Sequence, residues 1–122
     1  MGNKAKAKGT AFETLVVRYL RPRGFSKVYR PSVSGSYDSG DLNGISGPNR
    51  QAIVQCKNQR QFNLSGWLND TVQQAKQDAV GNNALPIVVF KRPGIGEKNL
   101  GETYALMRLE DIASLLKEAG YS

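Results

Sequence analysis

Asp41, Gln55 and Lys57 are the residues whose types and spacing could carry a reaction. A turn signal, Gly47-Pro48-Asn49, lies between the aspartate and a stretch running from Gln51 to Lys57, so the two segments fold back on each other as a hairpin. Side chains alternate along a strand. Ile53, Gln55 and Lys57 therefore share one face, and Ala52, Val54 and Cys56 the other. Strands about 4.8 Å apart could bring Asp41 beside Gln55. One carboxylate oxygen, one amide oxygen and the backbone carbonyl of Cys56 are hard donors of the kind that Mg²⁺ or Mn²⁺ takes. Such a cation neutralises phosphoryl oxygens and activates water. The Lys57 ammonium, two residues from Gln55, could orient the attacking water and stabilise charge on the phosphorane. The chemistry indicated is phosphodiester hydrolysis.

Little else in the chain competes. Among 122 residues there is no histidine and one cysteine. A Ser–His–Asp triad is excluded, a Cys56 thiolate has no base to activate it, and zinc has too few ligands. Cys56 is expected in the core as a small apolar group. Several candidates have two readings. Glu13 follows Thr10 by three residues, which is a capping box; alternatively it reaches from the first helix to hold a water on the cation. Asp41 could be a turn residue after Gly40, and Asp38 is a rival ligand in the preceding loop. Gln55 and Lys57 could form the solvent face of an edge strand, although Ile53 shares that face. Ser34, Ser36 and Tyr37 could be loop polarity alone. Gln73 and Gln74, on the helix after the site, read as ordinary helix-surface glutamines with a functional role as the alternative, and Trp67 as a core anchor rather than a base-stacking platform.

The elements that must position these residues follow from periodicity. Residues 1–9 alternate lysine and alanine and read as a basic flexible arm, ahead of a single domain over 10–122. Phe12, Leu15, Val16, Tyr19 and Leu20 have helical spacing, stopped by Pro22 and Gly24. Strands are predicted over Phe25–Arg30, Asp41–Ser46 and Gln51–Lys57, with a Ser/Gly-rich loop over Pro31–Gly40. A helix follows from about Gly66 to Val80, with Trp67, Leu68, Val72, Ala75 and Ala79 as its stripe. The run Pro86–Phe90 is apolar throughout and fits a strand covered on both faces. A basic, glycine-rich hairpin loop over Lys91–Gly101 leads to a strand over Thr103–Leu109. The last helix, Glu110–Ala119, turns Ile112, Leu115, Leu116 and Ala119 inward. The expected fold is α/β, a mixed sheet flanked by helices, in the order αβββαββα.

Composition points to the partner. Seventeen lysines and arginines against ten acidic residues give a net charge of +7, which suits nucleic acid. Lys4, Lys6, Lys8, Arg60, Lys91, Arg92 and Lys98 could line a phosphate track, each neutralised phosphate adding about 0.9 to the salt slope of binding. A lone cysteine fits a reducing, cytoplasmic interior, near nucleoid or viral DNA. No apolar run approaches the ~20 residues of a membrane helix, and no signal-peptide segment is visible.

Taken together, Gly9-Thr10-Ala11-Phe12-Glu13, Gly24-Phe25 with Arg30, Ser34-Gly35-Ser36, Gly40-Asp41 and Val54-Gln55-Cys56-Lys57 resemble the archaeal-type Holliday-junction resolvases of the PD-(D/E)xK nuclease superfamily. The resemblance covers roughly residues 9 to 110. It implies a restriction-endonuclease-like fold and a homodimer that cuts opposed strands of a four-way DNA junction in recombination and repair. The positions matching Glu13, Asp41 and Gln55 would hold the metal, and Lys57 would be catalytic. A serine among Ser34 to Ser36, here Ser36, would assist, with Ser34 and Arg30 near the DNA. The departure is Gln55, where the family usually has glutamate. A unit charge pair at 4 Å is worth ~4 kcal/mol at an effective dielectric of 20, so the amide implies weaker metal binding. Two other readings stand beside this one: an inactive DNA-binding module of the same fold, and a nuclease for flaps, single strands or plain duplex.

Overall fold

A computed structural model describes residues 3–31, 41–78 and 84–122, with side chains over 7–31, 42–77 and 84–122. It has three helices and four strands in this span: α1 (Asn3–Leu20), β1 (Asp41–Ser46), β2 (Gln51–Lys57), α2 (Leu64–Asp78), β3 (Leu85–Phe90), β4 (Tyr104–Leu106) and α3 (Leu109–Glu118). The sheet order is β1-β2-β3-β4. β1 runs antiparallel to β2, β2 parallel to β3 through the α2 crossover, and β3 antiparallel to β4. A mixed sheet with α1 on one face and α2 on the other is thus the architecture, in agreement with the α/β expectation.

Alternation along β2 divides the core. Val54 and Cys56 meet Phe12, Val16 and Val17 of α1, together with Val28, Leu42 and Leu100. On the opposite face, Val88 and Phe90 of β3 meet Trp67 of α2. The β1–β2 turn is closed by Gly47 N–H donating to the Arg50 carbonyl at 2.8 Å. Gly44 has φ +88° at a bulge in β1, and a Cβ there would collide with the Lys27 carbonyl, so no other residue fits. After β3, Arg92-Pro93-Gly94-Ile95 forms a tight turn with Ile95 N–H donating to the Arg92 carbonyl at 3.1 Å; Gly94 has φ +82°.

Three expectations need correction. α1 begins at Asn3, so residues 3–9, expected as an arm, are helical and Thr10 is not an N-cap. Its carbonyl instead accepts from Thr14 Oγ1 one turn later, at 3.0 Å. Lysine and alanine are strong helix formers, and a helix already nucleated by Phe12 and Val16 extends through them cheaply. The predicted strand Phe25–Arg30 is reduced to a single bridge, Tyr29 with Asn43. Its start is spent closing α1: Gly24 takes φ +105° and Phe25 N–H donates to the Leu20 carbonyl at 3.3 Å. The element order is therefore αββαββα rather than αβββαββα. Finally, α3 does not turn its stripe inward. Leu115 reaches the body, but Ile112 and Leu116 stay exposed, as does Leu109 at 81%. Beside Leu115, the Arg50–Glu118 ion pair at 2.9 Å holds the helix to the turn.

Candidate active site

The β1–β2 register sets Asp41 directly opposite Gln55, as the hairpin spacing predicts. The Asp41 side chain lies outside the described set, as do Ser34, Ser36, Tyr37 and Asp38 and the side chains of Lys4 and Lys6. Next along, the parallel register sets Lys57 beside Phe90, and the antiparallel one sets Phe90 beside Tyr104. Two rows thus cross the α2 face of the sheet: Gln55, Val88, Leu106, with Asp41 in register with Gln55, and then Lys57, Phe90, Tyr104.

Gln55 is half-buried between β2 and α2 and is held at both ends. Thr71 Oγ1, wholly buried, lies 2.7 Å from the Trp67 carbonyl and 3.0 Å from Gln55 Oε1. Gln55 Nε2 lies 3.3 Å from Gln74 Oε1. A hydroxyl has one proton for those two acceptors. With that proton on the Trp67 carbonyl, a Gln55 amide turned over donates to Thr71 Oγ1 and faces its oxygen to Gln74. In either orientation the amide is anchored by α2 side chains, and its oxygen keeps a second lone pair. Gln74, expected as ordinary helix surface, is therefore part of the site, and Thr71 was missed. Their i, i+3 spacing, in step with Trp67 and Ala75, puts them on the sheet-facing side of α2, which is the signal that could have found them.

Glu13 is 2% exposed and accepts a hydrogen bond from Arg30 Nε at 2.7 Å. This is a short, charge-assisted pair across 17 residues of chain. The capping-box reading of Glu13 falls with the helix start, and Arg30, expected beside DNA, has its Nε committed to this carboxylate. Glu13 belongs to α1, whereas Gln55 is anchored by α2. Cys56 is buried against α1, as expected, and Trp67 is a core residue at 4% exposure.

The cations are spread around this face and beyond it. Lys57 is half-buried; its carbonyl accepts from Lys91 N–H at 2.9 Å, which ties the loop after β3 to the end of β2. Arg60 is exposed in the loop between β2 and α2. Arg92 stands 5.7 Å over the Tyr104 ring and 3.8 Å from Glu102. Lys8 is exposed on α1. Lys98 is exposed in the 3-10 segment Glu97–Glu102, which touches α1 through Arg18–Glu97 at 3.5 Å.

The donor set is made of oxygens, which suits a hard divalent cation rather than zinc. Among the described residues no three of His, Cys, Asp and Glu converge on one point. A cation here would rest on the Asp41–Gln55 pair, with Gln55 offering its spare lone pair. No described helix is long and apolar enough to cross a membrane. Comparisons with protein-family models, with curated proteins and with solved structures gave no match.

Proposed function

We propose that this chain is a divalent-metal-dependent DNA endonuclease with a restriction-endonuclease-like site, a junction resolvase working as a homodimer. The observation that carries the reading is the register: Asp41 stands opposite Gln55, with Lys57 two residues further on the same face. Asp41, Gln55 and the Cys56 carbonyl would hold Mg²⁺ or Mn²⁺, with Glu13 acting through a water. The cation supplies charge neutralisation at the phosphoryl oxygens and a more acidic water. Lys57 then stabilises the charge that develops on the phosphorane. Thr71 and Gln74 fix the Gln55 amide so that it need not reorganise. Ser36, outside the described residues, would assist from the segment ahead of β1. The +7 charge supports a polyanionic substrate, gripped mostly through phosphates.

The dimer is supported by two apolar surfaces left open on one chain. One is the exposed stripe of α3, and the other is a cleft of about 550 Å³ on the α1 face, lined by Val16, Tyr19, Ala52, Ile87 and Ala105. A two-fold pairing can cover both at once.

Four-way junction DNA incubated with Mg²⁺ or Mn²⁺ tests the reading. Paired nicks are expected, reduced about 10²- to 10³-fold by Lys57→Ala while junction binding stays within about twofold. Nicks that are unchanged in that variant would remove Lys57 from the chemistry. One observation favours a second reading. Both ends of the Gln55 amide are engaged by α2, as in a site retired to structural duty, so an inactive DNA-binding module would bind the junction tightly and leave it intact.

A further inference from the structure

Four aromatic rings gather at the end of the α2 face, beside Lys57. Phe62, from the loop between β2 and α2, lies 4.9 Å from Phe90 edge-on and 6.3 Å from Tyr104 at 88°. Phe90 in turn lies 5.7 Å from Trp67 and 5.2 Å from Tyr104. The cluster has two layers. Trp67 and Phe90 are 4% and 7% exposed and belong to the core, whereas Phe62 and Tyr104 keep 41% and 39% of their surface in solvent. A plug for the sheet end needs only the inner pair. Leaving two further rings half in water forgoes hydrophobic stabilisation, so the outer layer is available to a ligand.

The surroundings say which ligand. Lys57 and Tyr104 flank Phe90 in one row of the sheet, which puts Tyr104 about 10 Å from Lys57 at two strand spacings. Arg92 stands 5.7 Å over the Tyr104 ring, Lys91 is bonded to the Lys57 carbonyl, and Arg60 is exposed two residues before Phe62. Aromatic faces rimmed by cations, one nucleotide or two from a phosphodiester site, match an unpaired base and its flanking phosphates. A base inside a duplex has both faces occupied by its neighbours and cannot use such a platform.

From this geometry we infer that Phe62 offers the stacking face for an unpaired DNA base next to the scissile phosphate, with Tyr104, at a right angle to it, as a side wall. The inference rests on Lys57 marking the cleavage site, and it narrows the substrate to DNA with a base free of its stack: a flap, an overhang or an opened branch point. Arg60 and Arg92 contact the adjoining phosphates.

The platform is tested by binding in EDTA, where no cleavage interferes. The probes are a fluorescein-labelled blunt duplex and the same duplex carrying a ten-nucleotide flap, with 2-aminopurine at the first unpaired position. The flapped DNA should bind about tenfold tighter than the blunt one, with 2-aminopurine emission quenched on binding. Phe62→Leu keeps an apolar cover over Phe90 but removes the ring; it should erase the preference and the quench while blunt-duplex affinity and the melting temperature hold. Phe62→Tyr should restore both. Equal affinity of the wild-type chain for the two DNAs, or a preference that survives in Phe62→Leu, overturns the platform. Should Phe62→Leu not fold, the wild-type preference and the 2-aminopurine signal still decide. The nuclease reading is judged separately, by metal-dependent nicking with Lys57→Ala as control. Nicking without flap preference sinks only the platform; flap preference without nicking sinks the nuclease and the platform's place beside a scissile phosphate, and leaves only the stacking on Phe62.

Discussion

On the α1 face of the sheet, Ala52, Val54, Cys56, Ile87 and Ala105 are all apolar, yet α1 covers only part of them and a cleft of about 550 Å³ remains. On the α2 face the strands carry Gln55 and Lys57 among Ile53, Val88 and Phe90, and α2 packs closely over them with Trp67, Thr71 and Ala75. Coverage and polarity therefore run opposite to what burial alone would favour. Polar groups sit under the closer-fitting helix because that helix brings partners: Thr71 and Gln74 answer Gln55. Bare apolar surface lies in the cleft that α1 and α3 border without filling. On the proposed reading, chemistry would belong to the α2 face, at the strand end that carries Lys57, and assembly to the α1 face.

The largest effect on stability should come from the apolar face. Leu42 is wholly buried there, between α1 and β2. Leu42→Ala is expected to cost about 3 kcal/mol in urea-induced unfolding, through lost burial and the cavity left behind. The residual folded fraction should still bind DNA with unchanged affinity. A loss of DNA affinity larger than the loss of folded protein would break the division between the faces.

Glu13 is the exception that sharpens the comparison, since it is a charged residue buried on the apolar side. Glu13→Gln keeps the shape but leaves the Arg30 guanidinium facing an amide. Arg30 is about one-third exposed, which moderates the penalty of a fully buried pair, so a loss of about 2 kcal/mol is expected in the same unfolding measurement. Adding Arg30→Met should recover part of it. If cleavage falls far more than stability does, Glu13 serves the cation and not only Arg30.

Thr71→Val probes the other face. The isosteric change removes the hydroxyl 2.7 Å from the Trp67 carbonyl and 3.0 Å from Gln55 Oε1, for about 1 kcal/mol of stability. Its expected signature is a metal requirement shifted to higher Mg²⁺, because Gln55 is then held at one end only. An unchanged magnesium titration would mean that the Gln55 amide is oriented by Gln74 alone.

Much of this was legible in the chain. β1 and β2 were predicted at their observed bounds because alternation and the Gly47-Pro48-Asn49 turn are local signals, and β3 because an apolar run has few alternatives. The face shared by Gln55 and Lys57 follows from the same alternation. What failed depended on distant contacts. Glu13 offered a local cap as one of two readings, but the helix starts at Asn3 and Glu13 bonds Arg30, 17 residues away. Phe25–Arg30 had strand character, but β1 accepts only Tyr29 before the Gly44 bulge. Phe62 could not be matched with Tyr104, nor Thr71 with Gln55, without the register that the α2 crossover imposes. The stripe of α3 was readable as a stripe, but periodicity tells that a face seeks cover, not that this chain supplies it.

That uncovered stripe yields the smallest effect on folding and the clearest on assembly. Ile112 and Leu116 lie one turn apart on α3, at 38% and 43% exposure. In an isolated chain the pair Ile112→Gln with Leu116→Gln should shift unfolding by no more than about 0.5 kcal/mol per site, since exposed positions contribute little and glutamine keeps the helix. In a dimer the same change places two polar amides per chain against an apolar surface, and a stable interface needs about 800 Å² per partner, much of its centre apolar. Sedimentation velocity should then find a dimer for the wild-type chain and a monomer for the double variant, with intact binding to single nicking sites and loss of paired cuts. A wild-type monomer would remove the homodimer, and a variant that remains dimeric would move the interface off α3 and its neighbouring cleft. In the latter case the open half of the α1 face has no demonstrated use, and the division of labour between the two faces would rest on Gln55 and Lys57 alone.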